Sequence, residues 1–173
     1  MILGNEDIKE FIEAGKLSIS PLSDDTIREN GVDLRIGDEI IRFSGDGNVA
    51  RLSDKTSIES IYKTEKIIGN FILGKNEKIL IKIKERVKMP NNLVGFCNLR
   101  STFARLGITI PPTIVDAGYE GYITIGVSGG AVPIEIGTGT RFLHLVFSTT
   151  KSDVTSLYSG VYQNSKSVSG AKV

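Results

Sequence analysis

Four polar side chains lie close together near the middle of the chain. The segment "NLRSTFARLG" (98–107) places Arg100, Ser101, Thr102 and Arg105 just after an apolar run. An arginine guanidinium is a planar fork of donors that fits phosphate oxygens, and the hydroxyl groups add further donors. The same residues could instead be a surface arginine followed by a Ser-Thr helix cap. The stretch therefore indicates either a phosphate-binding motif or an ordinary helix start.

Two aspartates stand in apolar surroundings. Asp33 lies within "ENGVDLRIG" (29–37), and Asp116 follows an apolar run in "PPTIVDAGYEG" (111–121). Either could serve a turn through local backbone hydrogen bonds, or be a carboxylate fixed at a pocket rim where a strand ends. Tyr119, three residues after Asp116, could line such a pocket or lie in the core. The residues alone leave these alternatives open.

The chain has one histidine and one cysteine, which limits the available chemistry. His144 alternates with leucines in "RFLHLVF" (141–147), a pattern more typical of a hydrogen-bonded structural histidine than of a ligand. Cys97 lies in an apolar run and is expected to be buried and unreactive. A single cysteine forms no internal disulfide and no zinc site by itself. A Cys–His catalytic pair is therefore not expected.

The composition is that of a globular protein with balanced charge. The 173 residues are enough for a single domain with a buried core. The 21 basic and 20 acidic side chains nearly cancel, so binding to nucleic acid through bulk positive charge is not expected. No apolar run reaches the length of a membrane span, and the first residues lack the apolar core of a signal peptide. We therefore expect a cytoplasmic protein that binds neither nucleic acid nor membranes.

Most apolar runs have the length and the alternation of β-strands. Strands are predicted over 32–37, 39–43, 70–74, 78–89, 93–99, 107–110, 122–127, 132–136 and 141–147, separated by turn segments such as "SGDG" (44–47). One short helix is predicted over 4–16, with Asn5 as its N-cap. The pattern indicates an all-β barrel or sandwich with one helical appendage, forming a single domain over 1–173. The polar, serine-rich segment 148–173 is either a disordered end or a flexible flap that orders over a ligand.

The order and spacing of these segments resemble the dCTP deaminase / dUTPase superfamily. The likeness is carried by "DTIRENGVDLRIGDEI", "LRSTFARLG", "PPTIVDAGYEG" and "GTRFLHLVF", and it is strongest to the archaeal-type dUTPase branch. The segment "YSGVYQ" (158–163) also resembles the C-terminal motif of the family. The resemblance implies a distorted β jelly-roll, a homotrimer with active sites at subunit interfaces, a nucleoside triphosphate substrate and Mg²⁺.

The resemblance also implies roles for the two aspartates and for Tyr119. Asp116 matches the carboxylate that orients or activates the attacking water. Tyr119 matches the aromatic residue that packs against the deoxyribose and excludes a ribose 2′-hydroxyl. Asp33 matches a carboxylate near the metal and the triphosphate, acting through water.

Two further segments match parts of the family that contact the nucleotide. Arg100, Ser101 and Thr102 match the phosphate-contacting motif, which Arg105 extends. The C-terminal segment is expected to close over the bound nucleotide and to supply Tyr162 or Gln163.

One position separates the two activities of the superfamily. Deamination in this family needs a glutamate in the pattern Asp-x-Gly-aromatic-x-Gly-x-x-x-x-Glu, and this chain reads "DAGYEGYITIG" (116–126). Gly126 stands at the glutamate position and has no side chain that could move a proton. The tail departs as well, since Val161 and Ser165 stand where deaminases commonly have lysine and glutamine. Lys166 is a candidate substitute for that missing lysine.

We therefore expect a dUTPase that hydrolyses dUTP to dUMP and pyrophosphate with Mg²⁺. Hydrolysis needs a positioned water and charge-neutralising donors, for which candidate residues are present. A dCTP deaminase or a bifunctional enzyme is the alternative, with dCTP otherwise expected as a weak ligand at most. A non-catalytic nucleotide-binding trimer is the alternative from another class.

Overall fold

The structure is a computed structural model that describes residues 1–44 and 49–173. Within these residues the helices are α1 (Asn5–Glu13), α2 (Lys55–Glu59) and α3 (Ser101–Arg105). The strands are β1 (Ser18–Ser20), β2 (Ile27–Arg28), β3 (Gly31–Phe43), β4 (Tyr62–Lys66), β5 (Asn70–Leu73), β6 (Lys78–Lys88), β7 (Leu93–Leu99), β8 (Thr113–Val115), β9 (Glu120–Ser128), β10 (Ile134–Gly137) and β11 (Arg141–Thr149). The fold is mostly β, as the alternating apolar runs predicted. No helix of the described part is long and apolar enough to cross a membrane.

Nine strands of the described chain form one curled sheet. Its path runs β1–β6–β3–β11–β7–β8, while β2 and β4 also pair with β3, and β9 pairs with β6. β5 and β10 form a separate antiparallel pair. This architecture confirms the predicted distorted β jelly-roll with a short N-terminal helix.

Isoleucine, leucine and phenylalanine side chains of the sheet fill the core. α1 packs onto this core through Ile8, which is fully buried. α3 is attached through Phe103, whose ring meets the ring of Phe142 edge-on with 4.8 Å between centroids. Because Phe142 lies on a central strand, this contact fixes the start of α3 and the residues around Arg100.

Three of the predicted strands differ from those of the structure, and β1, β2, β4 and β8 were not predicted. The runs 32–37 and 39–43 are one continuous strand, β3. Gly37 lies within this strand and does not end it. A Cβ at this position would lie 2.8 Å from the carbonyl oxygen of Lys82, so glycine is needed here because the backbone of β6 approaches closely. The predicted strand 107–110 is wrong, since only Thr109 forms an isolated bridge and two prolines without N–H groups follow.

Helix boundaries also depart from prediction. α1 begins after Gly4, so the assignment of Asn5 as N-cap is wrong; the Gly4 N–H donates to the Asp7 carboxylate at 2.8 Å. The helices α2 and α3 and the strand β8 were not predicted, because three to five residues are too few for a periodic pattern. Residues 45–47 of the predicted turn "SGDG" lie outside the described residues.

Candidate functional site

A cleft of about 590 Å³ opens beside the first half of β9. Tyr119, Tyr122, Tyr158 and Tyr162 supply much of its wall, and we name it the tyrosine cleft. Its other lining residues are Tyr62, Leu80, Thr113, Ile114, Val115, Asp116, Ile123, Thr124, Ser165, Ser169, Gly170 and Ala171. Among the described residues that line it, Asp116 alone is charged.

Asp116 opens a tight turn between β8 and β9. Its carbonyl oxygen accepts a hydrogen bond from the Tyr119 N–H at 3.1 Å. Gly118 has a φ of +81°, a conformation that L side chains rarely adopt and that a type II turn requires at its third residue. The side chain of Asp116 is exposed and borders the cleft. The turn thus fixes the backbone and leaves the carboxylate at the rim.

Tyr119 is a rigid wall of the tyrosine cleft. Its side chain is buried, its hydroxyl donates to the Tyr122 carbonyl at 3.0 Å, and its ring meets that of Tyr158 edge-on. Burial, with a smaller contribution from Tyr158, raises the pKa of Tyr119 to about 12. A tyrosine phenol is neutral at physiological pH even without this shift, and the shift extends to higher pH the range in which it donates this hydrogen bond.

The C-terminal segment closes one side of the cleft. Tyr158 donates its N–H to the Ala117 carbonyl at 3.0 Å. Gln163 holds the Asp116 turn from behind, because its Nε2 donates to the Gly118 carbonyl at 2.9 Å and its Oε1 accepts from the Glu120 N–H at 2.9 Å. Of the two tail residues singled out in the sequence, Tyr162 lines the cleft and Gln163 contacts only the backbone of the turn.

A second pocket, of about 260 Å³, surrounds Arg100. We name it the arginine pocket; it is lined by Arg28, Glu29, Asp33, Leu99, Arg100, Ser101 and His144. Arg100 directly precedes α3, and Ser101 is the first residue of that helix. Thr102 and Arg105 are exposed on α3 and do not belong to the lining.

Asp33 is buried among basic groups of this pocket. Its Oδ2 lies 2.8 Å from Arg100 Nε and 3.6 Å from Arg141 Nη1, and its Oδ1 lies 2.9 Å from His144 Nδ1. An ionised carboxylate only accepts, so His144 Nδ1 is the donor of this last bond when Asp33 is ionised.

The surroundings of Asp33 do not fit direct ligation of a metal ion. Both of its oxygens are engaged by basic groups. The described residues contain no group of three or more His, Cys, Asp or Glu side chains that could hold a metal.

Sequence reasoning did not place the ion pairs that extend from Asp33 into the core. Arg141 Nε lies 3.3 Å from an Asp25 oxygen, and Asp25 also pairs with Arg35. Arg35 in turn bonds Glu85, which is fully buried, at 3.1 Å. In the sequence, only the spacing of Asp33 and Arg35 pointed to this cluster, because residues two positions apart lie on the same face of a strand.

The tyrosine cleft and the arginine pocket lie apart in one chain. Gly95 pairs with Val115, so Asp116 stands opposite Val94 near the start of β7, whereas Arg100 follows the end of β7. Six positions of a strand span about 20 Å. The structure therefore brings Asp116, Tyr119 and Tyr162 together, and Asp33, Arg100 and Ser101 together, but it does not unite the two groups.

Gly126 lies on the cleft-facing side of β9. Burial alternates along this strand, and Tyr122 and Thr124, on the same side as Gly126, line the cleft. A Cβ added at Gly126 would lie 3.7 Å from Pro111, an ordinary contact distance. The backbone therefore leaves room at least for the start of a side chain, which this chain does not have.

Cys97, Glu120 and Glu135 are further ionisable side chains near these strands. Cys97 is buried, which confirms its predicted burial, and desolvation raises the pKa of its thiol to about 12. Glu135 is exposed on β10. Glu120 is the first residue of β9 and pairs with Arg86 at 2.6 Å, which lowers the pKa of its carboxyl.

The family model described as dCTP deaminase-like matches residues 2–150. A dCTP deaminase of Acidianus ambivalens is 51% identical over 168 residues, covering 97% of this chain and 95% of the relative. A protein of Sulfolobus islandicus rod-shaped virus 1, named probable deoxyuridine 5′-triphosphate nucleotidohydrolase, is 48% identical over 173 residues and covers 99% of each chain.

Solved structures share the fold at low identity. A dCTP deaminase from Agrobacterium tumefaciens superimposes with a TM-score of 0.69 at 19% identity, covering 86% of this chain and 48% of that one. A mutant dUTPase of phage 80alpha gives a TM-score of 0.51 at 16% identity, covering 83% of this chain and 96% of that one. Such identities support a common fold and nothing finer.

Proposed function

We propose that this chain, which belongs to the dCTP deaminase-like family, is a dUTP diphosphatase, which hydrolyses dUTP to dUMP and pyrophosphate. The observation that carries the proposal is Gly126 on the cleft-facing side of β9, at the position where deamination in this family requires a glutamate. Deamination of cytosine requires a group that moves protons to and from the ring. In the described lining of the cleft only Asp116 is an acid, and it lies in the turn at the rim.

The tyrosine cleft supplies the groups that hydrolysis requires on the nucleoside side. Asp116 orients the attacking water from an exposed rim position, held there by the turn at Gly118. Tyr119 presents a fixed ring that packs on the deoxyribose and leaves no room for a 2′-hydroxyl. Tyr162 covers the nucleotide, and Gln163 acts indirectly by holding the Asp116 turn.

The arginine pocket supplies the phosphate contacts. Arg100 and Ser101 line it, and Thr102 and Arg105 extend the donor surface along α3. Asp33 engages Nε of Arg100 and the Arg141 carbonyl accepts from Nη1 at 3.3 Å, so the guanidinium is oriented before the substrate binds. Mg²⁺ commonly takes most of its ligands from substrate phosphates and water, and it would neutralise the charge of the phosphates. Asp33 would contact the ion at most through a bound water.

A homotrimer unites the two sites. A water-orienting carboxylate must lie within about 3 Å of the water that attacks the phosphorus, yet Asp116 and the phosphate motif of the same chain are separated by about 20 Å of strand. Asp116 therefore serves a nucleotide whose phosphates contact Arg100 of the partner subunit. Phe96 of β7 and Ile114 of β8 are paired neighbours between the two sites, and their exposed side chains offer apolar surface for the contact between subunits.

A dCTP deaminase, alone or combined with dUTPase activity, is the second candidate. The specific observation in its favour is the 51% identity to a relative that bears this name. A nucleotide-binding trimer without turnover is the candidate from another class. Release of ammonia from dCTP distinguishes the deaminase, and an absence of any product distinguishes the binding protein.

The experiment is to incubate the purified protein with dUTP and Mg²⁺ and to separate the products. We expect dUMP and pyrophosphate in equal amounts. The Asp116→Asn variant is the matched control, because it keeps the shape of the side chain and all phosphate donors. Equal product formation by both proteins would refute the role of Asp116, and no product from the wild type would refute the dUTPase.

A further inference from the structure

The tyrosine cleft carries the wrong charge for a triphosphate. Asp116 is the only charged side chain in its described lining, and a carboxylate repels phosphate oxygens. A nucleoside triphosphate therefore needs cations that reach the cleft from outside its lining. The arginine pocket of a partner subunit is one proposed source.

Lys172 is a cation of the same chain that lies beside the cleft. Its Nζ donates to the Val161 carbonyl at 3.2 Å and lies 5.4 Å from the ring centroid of Tyr162. Its backbone N–H donates to the Tyr162 hydroxyl at 3.1 Å. An ammonium group has three donors and the Val161 carbonyl uses one, so donors remain for a phosphate.

The last residues fold back to place Lys172 there. The Val168 N–H donates to a Glu39 carboxylate oxygen at 2.9 Å, and the Ala171 N–H donates to the Tyr62 hydroxyl at 3.0 Å. A Cβ on Gly170 would lie 2.1 Å from the Tyr62 ring, so only glycine fits against that ring. Contacts with β3 and β4 therefore fix the segment that carries Lys172.

We propose that Lys172 is a substrate-binding residue, which contacts the phosphates of the nucleoside triphosphate in the tyrosine cleft. The proposal rests on the dUTPase function proposed above and extends it. The ammonium group of Lys172 donates a hydrogen bond to the carbonyl oxygen of Val161, eleven positions earlier in the chain. Val161 stands where deaminases of the family commonly have a lysine. Lys166, the candidate from the sequence, lines a different pocket with Lys82 and Lys84.

The test compares the binding of a triphosphate and of a monophosphate. Lys172→Met removes the charge and keeps most of the side-chain length, and Lys172→Arg keeps the charge. Isothermal titration with the non-hydrolysable α,β-imido analogue of dUTP should show affinity about tenfold weaker for Lys172→Met, as expected for one lost charged hydrogen bond. Binding of dUMP should change much less, because most of the phosphate charge is absent, and Lys172→Arg should restore triphosphate binding.

Lys151→Met is the matched control, since it removes an exposed lysine near the start of the same segment. Unchanged triphosphate affinity in Lys172→Met would overturn the proposal. An equal loss for dUMP and the triphosphate would overturn it too, because it would assign Lys172 to holding the tail. A loss confined to Lys166→Met would move the phosphate contact to Lys166. Wild-type protein that binds the analogue without cleaving dUTP would refute the dUTPase and leave this comparison intact.

Discussion

Replacing Asp33 by asparagine tests the ion-pair cluster behind Arg100 with almost no change of shape. The carboxylate is 3% exposed and lies 2.8 Å from Arg100 Nε and 2.9 Å from His144 Nδ1. Asparagine at position 33 leaves Arg100 and Arg141 without their buried counter-ion. Its NH₂ group must also face one of the nitrogen groups that contact the Asp33 carboxylate, which costs a hydrogen bond.

The structure sets the expected size of this effect. Removing one partner of a buried ion pair costs about 3–5 kcal/mol. The side chains of Arg100 and Arg141 are 30% and 28% exposed, so solvent screens part of the lost attraction. We expect a loss of about 2 kcal/mol in unfolding free energy, which lowers the melting temperature by about 4–8 °C for a chain of this size.

Urea unfolding followed by circular dichroism measures the stability, and dUTP hydrolysis at varied Mg²⁺ measures the function. Because Asp33 holds Arg100, KM for dUTP should rise while the Mg²⁺ concentration for half-maximal activity stays the same. Asp153→Asn, an exposed aspartate outside both sites, is the control. A variant with unchanged stability and a strongly raised Mg²⁺ requirement would refute this reasoning and make Asp33 a metal ligand.

Asp116→Asn should lower turnover by about 10²–10⁴-fold, as expected for a positioned base, and should change unfolding free energy by less than about 0.5 kcal/mol because the side chain is exposed. Turnover within a few-fold of the wild type would leave Asp116 a turn residue only. Truncation after Ser156 removes Tyr162 and Gln163 and should leave a folded oligomer with severely reduced activity; an undiminished rate would show that the tail is dispensable. Light scattering should give the mass of a trimer, and a stable monomer that hydrolyses dUTP would contradict the shared site.

Long, strongly alternating strands were predictable from the sequence. β7 matches its prediction over 93–99, and β6 and β11 differ from theirs by one or two residues, because alternation of apolar residues persists over many positions in each. β8 and α3 escaped prediction since each has too few residues to show a period. These short elements nevertheless carry Asp116 and Arg100 at their ends.

The site was predictable where its residues are neighbours in sequence. Asp116 and Tyr119 share one turn and line one cleft, which is one of the alternatives that the sequence left open. The partners of Asp33 could not be derived, because His144 is 111 positions away and meets it only through the pairing of β3 with β11. The position of Lys172 depends likewise on Tyr62, whose hydroxyl bonds a residue 109 positions later. Such contacts follow from how the strands and the C-terminal segment pack in three dimensions, and not from local pattern.

Incubation of the wild-type protein with dCTP and Mg²⁺, in parallel with dUTP, tests the central claim most directly. Ammonia is the decisive product, because any deaminase of this family releases it whether or not the triphosphate is also cleaved. With Gly126 on the cleft-facing side of β9, we predict dUMP and pyrophosphate from dUTP and no ammonia from dCTP. Ammonia release at a rate comparable to dUTP cleavage would contradict the account and require a proton-moving group other than a side chain at position 126.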